Sequence, residues 1–364
     1  MIKPPDYISG IKPYVPGKPV EELERELGIK DSIKLASNEN PIGPSPMALK
    51  ALLEDLAGSN RSNSINRYPD GSGYYLKSAL AEKLSVGGDD IILGNGSNEL
   101  IDIAVRTFLQ PGDDAVMASP SFVVYPLDVL ATGGRAIQVP LKNYTHDLEA
   151  MGDATTSKTK ILFVANPNNP TGTINKKDEF ARMMERIPDG VLVVVDEAYY
   201  EYVTHPDYAD SLQYFRDGRD ILILRTFSKI YGLAGLRIGY GIAKKEILTE
   251  MNKVRPPFNT SSVAQKAAIH ALKDDAHING TKEMNETGKR YLYNELDSLG
   301  LSYVPSQTNF IYMSLGQDAG VLYNKLLRQG VIVRPMGPNE IRVTIGLPEE
   351  NKRFIEALKK AVSQ

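Results

Sequence analysis

The stretch whose reading decides the fold is Arg225-Thr226-Phe227-Ser228-Lys229-Ile230-Tyr231-Gly232-Leu233-Ala234-Gly235-Leu236-Arg237, which follows the apolar run Ile221-Leu222-Ile223-Leu224. That run reads as a buried strand. It ends in hydroxyls and a lysine, passes into a glycine-rich loop, and meets Arg237 eight positions after Lys229. Open α/β sheets bind ligands outside the carboxyl ends of their strands, which is where Lys229 falls. A desolvated, cation-flanked amine in such a place becomes a nucleophile toward a carbonyl. Thr226 and Ser228 can donate to a phosphate, and Arg237 can grip one through two parallel bonds.

Outward from this stretch the chain repeats strand, loop and helix. Strands are predicted over 33–36, 91–93, 115–118, 136–139, 161–165, 191–195 and 221–224, and helices over 20–27, 46–56, 74–84 and 100–109. The run 191–195 is wholly apolar and so buried on both faces. Asp196-Glu197-Ala198-Tyr199 follows it. A carboxylate at the end of such a strand is costly unless paired with a cation; a pyridinium N–H is one such partner, and a helix N-cap role is the other reading. Gly94-Asn95-Gly96-Ser97-Asn98-Glu99 precedes the helix at 100 and reads either as a phosphate cradle or as a capping loop. It is neither a Walker motif nor a three-glycine dinucleotide fingerprint. Phe122 and Tyr125 are candidates to lie on a cofactor ring, or ordinary core aromatics. Asn166-Pro167-Asn168-Asn169-Pro170-Thr171-Gly172 is a further strand-end loop.

From about residue 256 the character changes. Helices to about 272, at 279–299, 320–329 and from 349 alternate with strands 309–313, 331–334 and 341–345, which makes a small α+β domain. Arg334 and Arg342 lie on its strands. At the other end, Pro13, Pro16 and Pro19 exclude a helix over 11–19, so that segment is an extended arm. The arm either lies on another surface, such as a second subunit, or is a loosely ordered terminus. The expected division is an arm and short helix over 1–32, a large domain over 33–258 and a small domain over 259–364.

Composition narrows the function classes. The 364 residues are 42% apolar and 24% charged with net charge −3, which points to an ordinary soluble globular protein and away from nucleic-acid or membrane surfaces. The chain has no cysteine, so disulfides, thiolate metal sites and cysteine nucleophiles are excluded, and no metal is expected. No signal peptide or membrane span is read, and a cytoplasmic location is expected.

A phosphate-bearing aldehyde held by a lysine describes pyridoxal phosphate. The glycine-serine cradle, Asn169-Pro170-Thr171-Gly172, Asp196-Glu197-Ala198-Tyr199 and Ser228-Lys229 with Arg237 resemble, in order and spacing, the fold-type I pyridoxal-phosphate enzymes of the aspartate aminotransferase superfamily. Ser37-Asn38-Glu39-Asn40-Pro41, Arg67-Tyr68-Pro69-Asp70, and Arg334 with Ile341-Arg342-Val343-Thr344 narrow the likeness to the histidinol-phosphate aminotransferase family, over nearly the whole chain. The resemblance implies a mostly parallel central sheet in a large domain with a small α+β domain. It implies that Lys229 carries the cofactor's aldehyde and later moves the proton, and that Asp196 keeps the pyridine nitrogen protonated. Asn169 and Tyr199 bond the ring's phenolic oxygen. Ser97, Asn98, Thr226, Ser228 and Arg237 take the phosphate, and Phe122 stacks on the ring. Many relatives have tyrosine at the Phe122 position, a departure that stacking survives. Tyr68 reaches the phosphate from a neighbouring subunit, so the resemblance implies a homodimer with shared sites. Arg342 binds the substrate's acidic group, Arg334 and Tyr14 help with a substrate phosphate, and Asn38 joins the substrate side. The implied substrates are a small-molecule amino donor and a keto acid. An aromatic-amino-acid aminotransferase and a phospho-amino-acid decarboxylase are alternatives on the same scaffold; a non-catalytic regulator domain fits poorly with Lys229 and Asp196 both in place.

Overall fold

The structure is a computed structural model and describes residues 2–57 and 65–362. Short β1 (Ile33–Lys34) is followed by the seven strands of the main sheet: β2 (Ile91–Gly94), β3 (Asp114–Ser119), β4 (Arg135–Pro140), β5 (Thr159–Ala165), β6 (Leu192–Asp196), β7 (Ile221–Thr226) and β8 (Gly239–Ile242). Their order across the sheet is β2-β8-β7-β6-β5-β3-β4. The neighbours from β7 through β4 run parallel, and β8 runs antiparallel to both β7 and β2.

The apolar runs divide their residues between two faces, as period-two alternation requires. Val193, Val195, Ile221 and Ile223 enter one core, with Leu76, Phe180 and Phe227. Leu192, Val194, Leu222 and Leu224 enter the other, with Leu100, Tyr125 and Phe163. Helices cover both faces, so the strands of the sheet interior are apolar throughout.

The second sheet is built from β9 (Ser302–Val304), β10 (Phe310–Ser314), β12 (Arg334–Pro335) and β13 (Glu340–Thr344), antiparallel in the order β12-β13-β10-β9. The helices Ala319–Leu327 and Pro348–Val362 close its core. The expected strand at 331–334 divides: β11 (Val331–Ile332) pairs in parallel with β1, and Arg334 opens β12. The helix Ser262–Ala271 buries its alanines in the core of the large sheet, and Ile278 follows it there, whereas Leu292 and Leu296 belong to the small core. The passage between the two cores therefore runs along the helix Asp275–Ser298.

Other expectations change in detail. The helix expected from 100 starts at Ser97, because Gly96 with φ 77° turns the chain into it three residues sooner. β8 and the helix Val124–Ala131 are absent from the sequence reading: the glycines of β8 and the interior proline of the helix hide both patterns. The arm carries the single-turn helix Asp6–Ser9 and is otherwise non-helical before Pro19, as three prolines demand. No helix among the described residues is long and apolar enough to cross a membrane.

The loop after Lys229 is seated by one close approach. A Cβ on Gly232, which has φ +69°, would lie 2.1 Å from the carbonyl oxygen of Gly43. We expect Gly232→Ala to cost about 2–4 kcal/mol from the clash and the left-handed backbone together. A lower urea midpoint by far-UV circular dichroism is the expected result; an unchanged midpoint contradicts this account of the loop.

Candidate active site

The carboxyl ends of β5, β6 and β7 open onto a cavity of about 500 Å³ that the small sheet closes on the far side. Its lining includes every sequence-predicted site residue except Tyr68. Alternation along β6 and β7 is the reason: Asp196 and Thr226 continue the face of Val194 and Leu224, and that face meets the cavity.

At one end, the helix Ser97–Phe108 points its first turn into the cavity. Gly96 offers no side-chain cap, so the Ser97 and Asn98 amides have none to bond. One glycine makes room for the arginine opposite and another for the start of the helix itself. A Cβ on Gly96 would sit 2.5 Å from Arg237 Nη2, and one on Gly239 would sit 2.5 Å from the Ser97 nitrogen. Arg237 is held by the Ala234 carbonyl at 3.2 Å and lies 3.5 Å from Ser228 Oγ; it makes no ion pair among the described residues. Thr226 Oγ1 accepts from the Ser228 amide at 3.1 Å, which fixes the turn before Lys229. A helix N-terminus, two hydroxyls and an unpaired guanidinium form a site for a phosphate dianion.

At the other end, Asp196 is 6% exposed. Tyr125 Oη donates to its Oδ2 at 2.9 Å and the Ala198 amide to its Oδ1 at 3.1 Å. Burial pushes its carboxyl up to about 6; the two donors and Lys229 act to hold it down, and neighbouring Glu197 pushes it up. The carboxylate has no salt-bridge partner among the described residues, which suits an N–H cation from a ligand.

Between these ends, Lys229 Nζ donates to the Ser37 carbonyl at 3.3 Å and lies 5.5 Å from the Tyr199 ring centre. The Tyr199 hydroxyl accepts from Asn38 Nδ2 at 2.8 Å, which leaves its own proton to donate. Asn38 is in turn locked by Thr344 and by Asn309, so in this structure its side chain orients Tyr199. Asn169 Oδ1 accepts from Arg342 Nη1, which leaves Nδ2 to donate. Ser121 and Thr171 hold the neighbouring Asn168 at 2.9 Å each.

Arg342 and Arg334 are directly paired across β13 and β12. Arg342 Nη2 donates to the Ala36 carbonyl at 2.7 Å, but its buried Nε has no partner. Burial, with Arg334 beside it, pushes this guanidinium below its ordinary value. Arg334 donates to the Val15 carbonyl at 2.8 Å and faces the Tyr14 ring at 5.5 Å. Phe122 lines the cavity and meets Tyr125 edge-on. Tyr68 lies apart, 82% exposed and stacked on Phe258, beside a second cavity that Arg237 also lines.

Sequence reasoning missed the bond from Tyr125 to Asp196. Tyr125 stood as a stacking or core aromatic, and only a helix over Val124–Ala131 turns its hydroxyl toward a strand end 71 positions away.

This fold and site are those of an aminotransferase: the chain belongs to the aminotransferase class I and II family, whose model matches residues 30–358. Within that family the similar proteins are consistent. A histidinol-phosphate aminotransferase of Moorella thermoacetica is 51% identical over 98% of this chain and 92% of its own, and one of Caldicellulosiruptor saccharolyticus is 45% identical over 98% and 99%. The crystal structure of histidinol-phosphate aminotransferase from Sinorhizobium meliloti in complex with pyridoxal-5'-phosphate superposes with a TM-score of 0.91, at 27% identity, covering 100% of this chain and 98% of that one. The fold is that of the fold-type I pyridoxal-phosphate aminotransferases, and pyridoxal phosphate is the cofactor. The residues present fit it: the cradle that Cβ atoms would fill suits the phosphate, and the unpaired buried carboxylate suits the pyridinium.

The Asp196 carboxyl carries a testable sign. Its folded value, about 6, stands above the ordinary 3.8, so the folded chain binds more protons than the unfolded one between those values. Stability falls as pH rises through that window, and above about 6 the cost of the buried anion is present in full. In cofactor-free protein, Asp196→Asn should raise stability at pH 7 by about 1–3 kcal/mol and change little near pH 4. Urea midpoints at the two pH values check this; an equal effect at both would refute it.

Proposed function

We propose that the chain transfers the amino group of L-histidinol phosphate to 2-oxoglutarate, giving imidazole-acetol phosphate and L-glutamate. The observation that carries this reading is the pair of guanidiniums on β12 and β13, which line the cavity from the small sheet without a carboxylate partner among the described residues. Curated relatives near half-identical over almost the full chain bear the name of that activity.

Pyridoxal phosphate, when bound, supplies an aldehyde for the amino group and a ring that takes up the electron pair from the substrate carbon. The residues of the chain do the rest. Arg237, Ser228 and the amides of Ser97 and Asn98 hold the phosphate, with Thr226 shaping the turn. Asp196 holds a proton on the ring nitrogen, and its Tyr125 and Ala198 donors fix where that carboxylate points. Asn169 Nδ2 and the Tyr199 hydroxyl would donate to the ring's phenolic oxygen. Phe122 would lie against its face. Lys229 Nζ would be the amine that takes the cofactor's aldehyde and the base that moves the proton at the substrate carbon.

Arg342 has to serve two substrates. Histidinol phosphate has no carboxylate, whereas glutamate has two. A planar guanidinium accepts either a carboxylate or a pair of phosphate oxygens. Arg334, with Tyr14 on the arm, adds most for a doubly charged phosphate. Asn38, expected on the substrate side, lines the cavity and also orients Tyr199. The arm, Tyr68 and a second subunit complete the site: Tyr68 does not line the cavity of its own chain, and its exposed ring is free to approach a partner's phosphate. The division into arm, large and small domains over 1–32, 33–258 and 259–364 is proposed with the passage between cores moved into the helix Asp275–Ser298.

Arg334→Ala is expected to lower kcat/KM for histidinol phosphate by about 10- to 100-fold, the equivalent of one lost charge-assisted bond, and to affect glutamate less. The ratio of kcat/KM for histidinol phosphate to that for phenylalanine decides the substrate. A wild type that prefers phenylalanine, or a ratio the mutation leaves unchanged, makes this an aromatic aminotransferase. The shared site is checked by mixing inactive Lys229→Ala and inactive Tyr68→Ala chains. Heterodimers should regain activity at one of their two sites; an active monomer in sedimentation would end that proposal.

A further inference from the structure

Behind the cavity wall lies a charge pair that the reaction does not use. Glu197 follows Asp196, and Arg225 precedes Thr226. Asp196 and Thr226 line the cavity, and alternation sends their neighbours to the opposite face of the sheet. The side chains of Arg225 and Glu197 are 3% and 0% exposed. Arg225 Nε and Nη2 each donate to Glu197 Oε2 at 2.8 Å, and the guanidinium lies 3.8 Å over the Tyr200 ring. The Tyr208 hydroxyl donates to the Asn166 carbonyl at 2.5 Å and sits 3.5 Å from Glu197 Oε1. The backbone runs through the same group: the Asn166 amide donates to the Asp196 carbonyl at 3.0 Å and the Glu197 amide to the Leu224 carbonyl at 2.8 Å.

One cluster thus ties together the carboxyl ends of β5, β6 and β7, from which Asn169, Asp196 and Lys229 depart. Net stability is a poor explanation for it, because a dry ion pair can be replaced by apolar groups at little or no cost. What a planar, two-bonded guanidinium contact does supply is direction.

We propose that Glu197, Arg225 and Tyr208 form a positioning clamp that holds three strand ends in the register that sets Asp196 and Asn169 against Lys229. The clamp touches neither substrate nor cofactor and acts only through those residues. The inference rests on the cofactor roles proposed above, not on the identity of the amino donor.

The test uses holoenzyme of the double variant Glu197→Gln/Arg225→Met and of Tyr208→Phe. The double variant removes both charges of the pair, and neighbouring Glu201, which burial already pushes up to about 7 and Arg225 helps hold down, can take up a proton when that cation is gone; the melting temperature is expected close to that of wild type. Its single-turnover rate constant with glutamate should fall by about tenfold or more, with glutamate affinity within about twofold. The pH midpoint of the bound cofactor's visible absorbance should move by about half a unit or more, because Asp196 and Asn169 no longer hold their places. The affinity of cofactor-free chain for pyridoxal phosphate, read by absorbance titration, should weaken as well. Tyr208→Phe should shift the same readouts in the same direction, by about threefold in rate. A folded double variant with wild-type rate and midpoint overturns the clamp. If the double variant does not fold, Tyr208→Phe decides, and wild-type values in it overturn the proposal. Glutamate is the probe, so failure of the histidinol phosphate reading leaves the result intact. A wild type that shows no visible cofactor band would overturn the cofactor roles, and the clamp with them.

Discussion

A carboxylate buried at the end of a strand has to be answered by a positive charge, and the pocket is arranged around that demand. Asp196 ends a strand that is apolar on both faces, with burial pushing its carboxyl up to about 6. Donors from Tyr125 and the Ala198 amide fix its direction without neutralising it. In the function proposed above, the compensating cation is the protonated ring of pyridoxal phosphate, so the feature that costs the chain stability by itself is the one that suits its cofactor. The phosphate end is the mirror case. There the unanswered charge is Arg237, set against a helix N-terminus that Gly96 allows it to approach, while Gly239 makes room for that helix start.

Strand alternation gives this arrangement two sides. On the cavity side of β6 and β7 stand Asp196 and Thr226. On the other side, one residue away along each strand, stand Glu197 and Arg225, paired and dry. The two sides obey different electrostatics. The hidden pair is closed on itself, whereas the cavity groups are left open toward a ligand. A site that must handle charged substrates needs both: open charges to bind them, and closed ones that stiffen the frame without competing for them.

The small sheet is joined to the large one through the loop at 36–43. Arg342 donates to Ala36, Thr344 and Asn309 hold Asn38, and Gly43 abuts Gly232 just beyond Lys229. The loop therefore links Arg342 to Lys229 and to Tyr199. Within this coupling Asn38 both lines the cavity and orients the tyrosine.

Much of this was legible in the sequence, and the reason is local. Period-two apolar runs declare strands, and the residue after such a run is at a strand's carboxyl end, where α/β sheets bind ligands. That logic reaches Lys229, Asp196 and, in the loop beyond Lys229, Arg237 without coordinates; Asn169 is singled out by the family likeness that the spacing of these motifs carries. It places Ser97 and Asn98 at a cradle, though it starts their helix three residues late. What only tertiary structure decided are contacts between segments far apart in the chain. Tyr125 reaches Asp196 across 71 positions, and Asn38 reaches Thr344 across 306. β8, with glycines where a strand pattern needs side chains, finds its place only between β2 and β7. The pairing of Arg334 with Arg342, and of Arg225 with Glu197, depends on register between strands. Periodicity in one segment specifies which way a side chain faces; what it meets there depends on how separate segments pack, and no single segment encodes that.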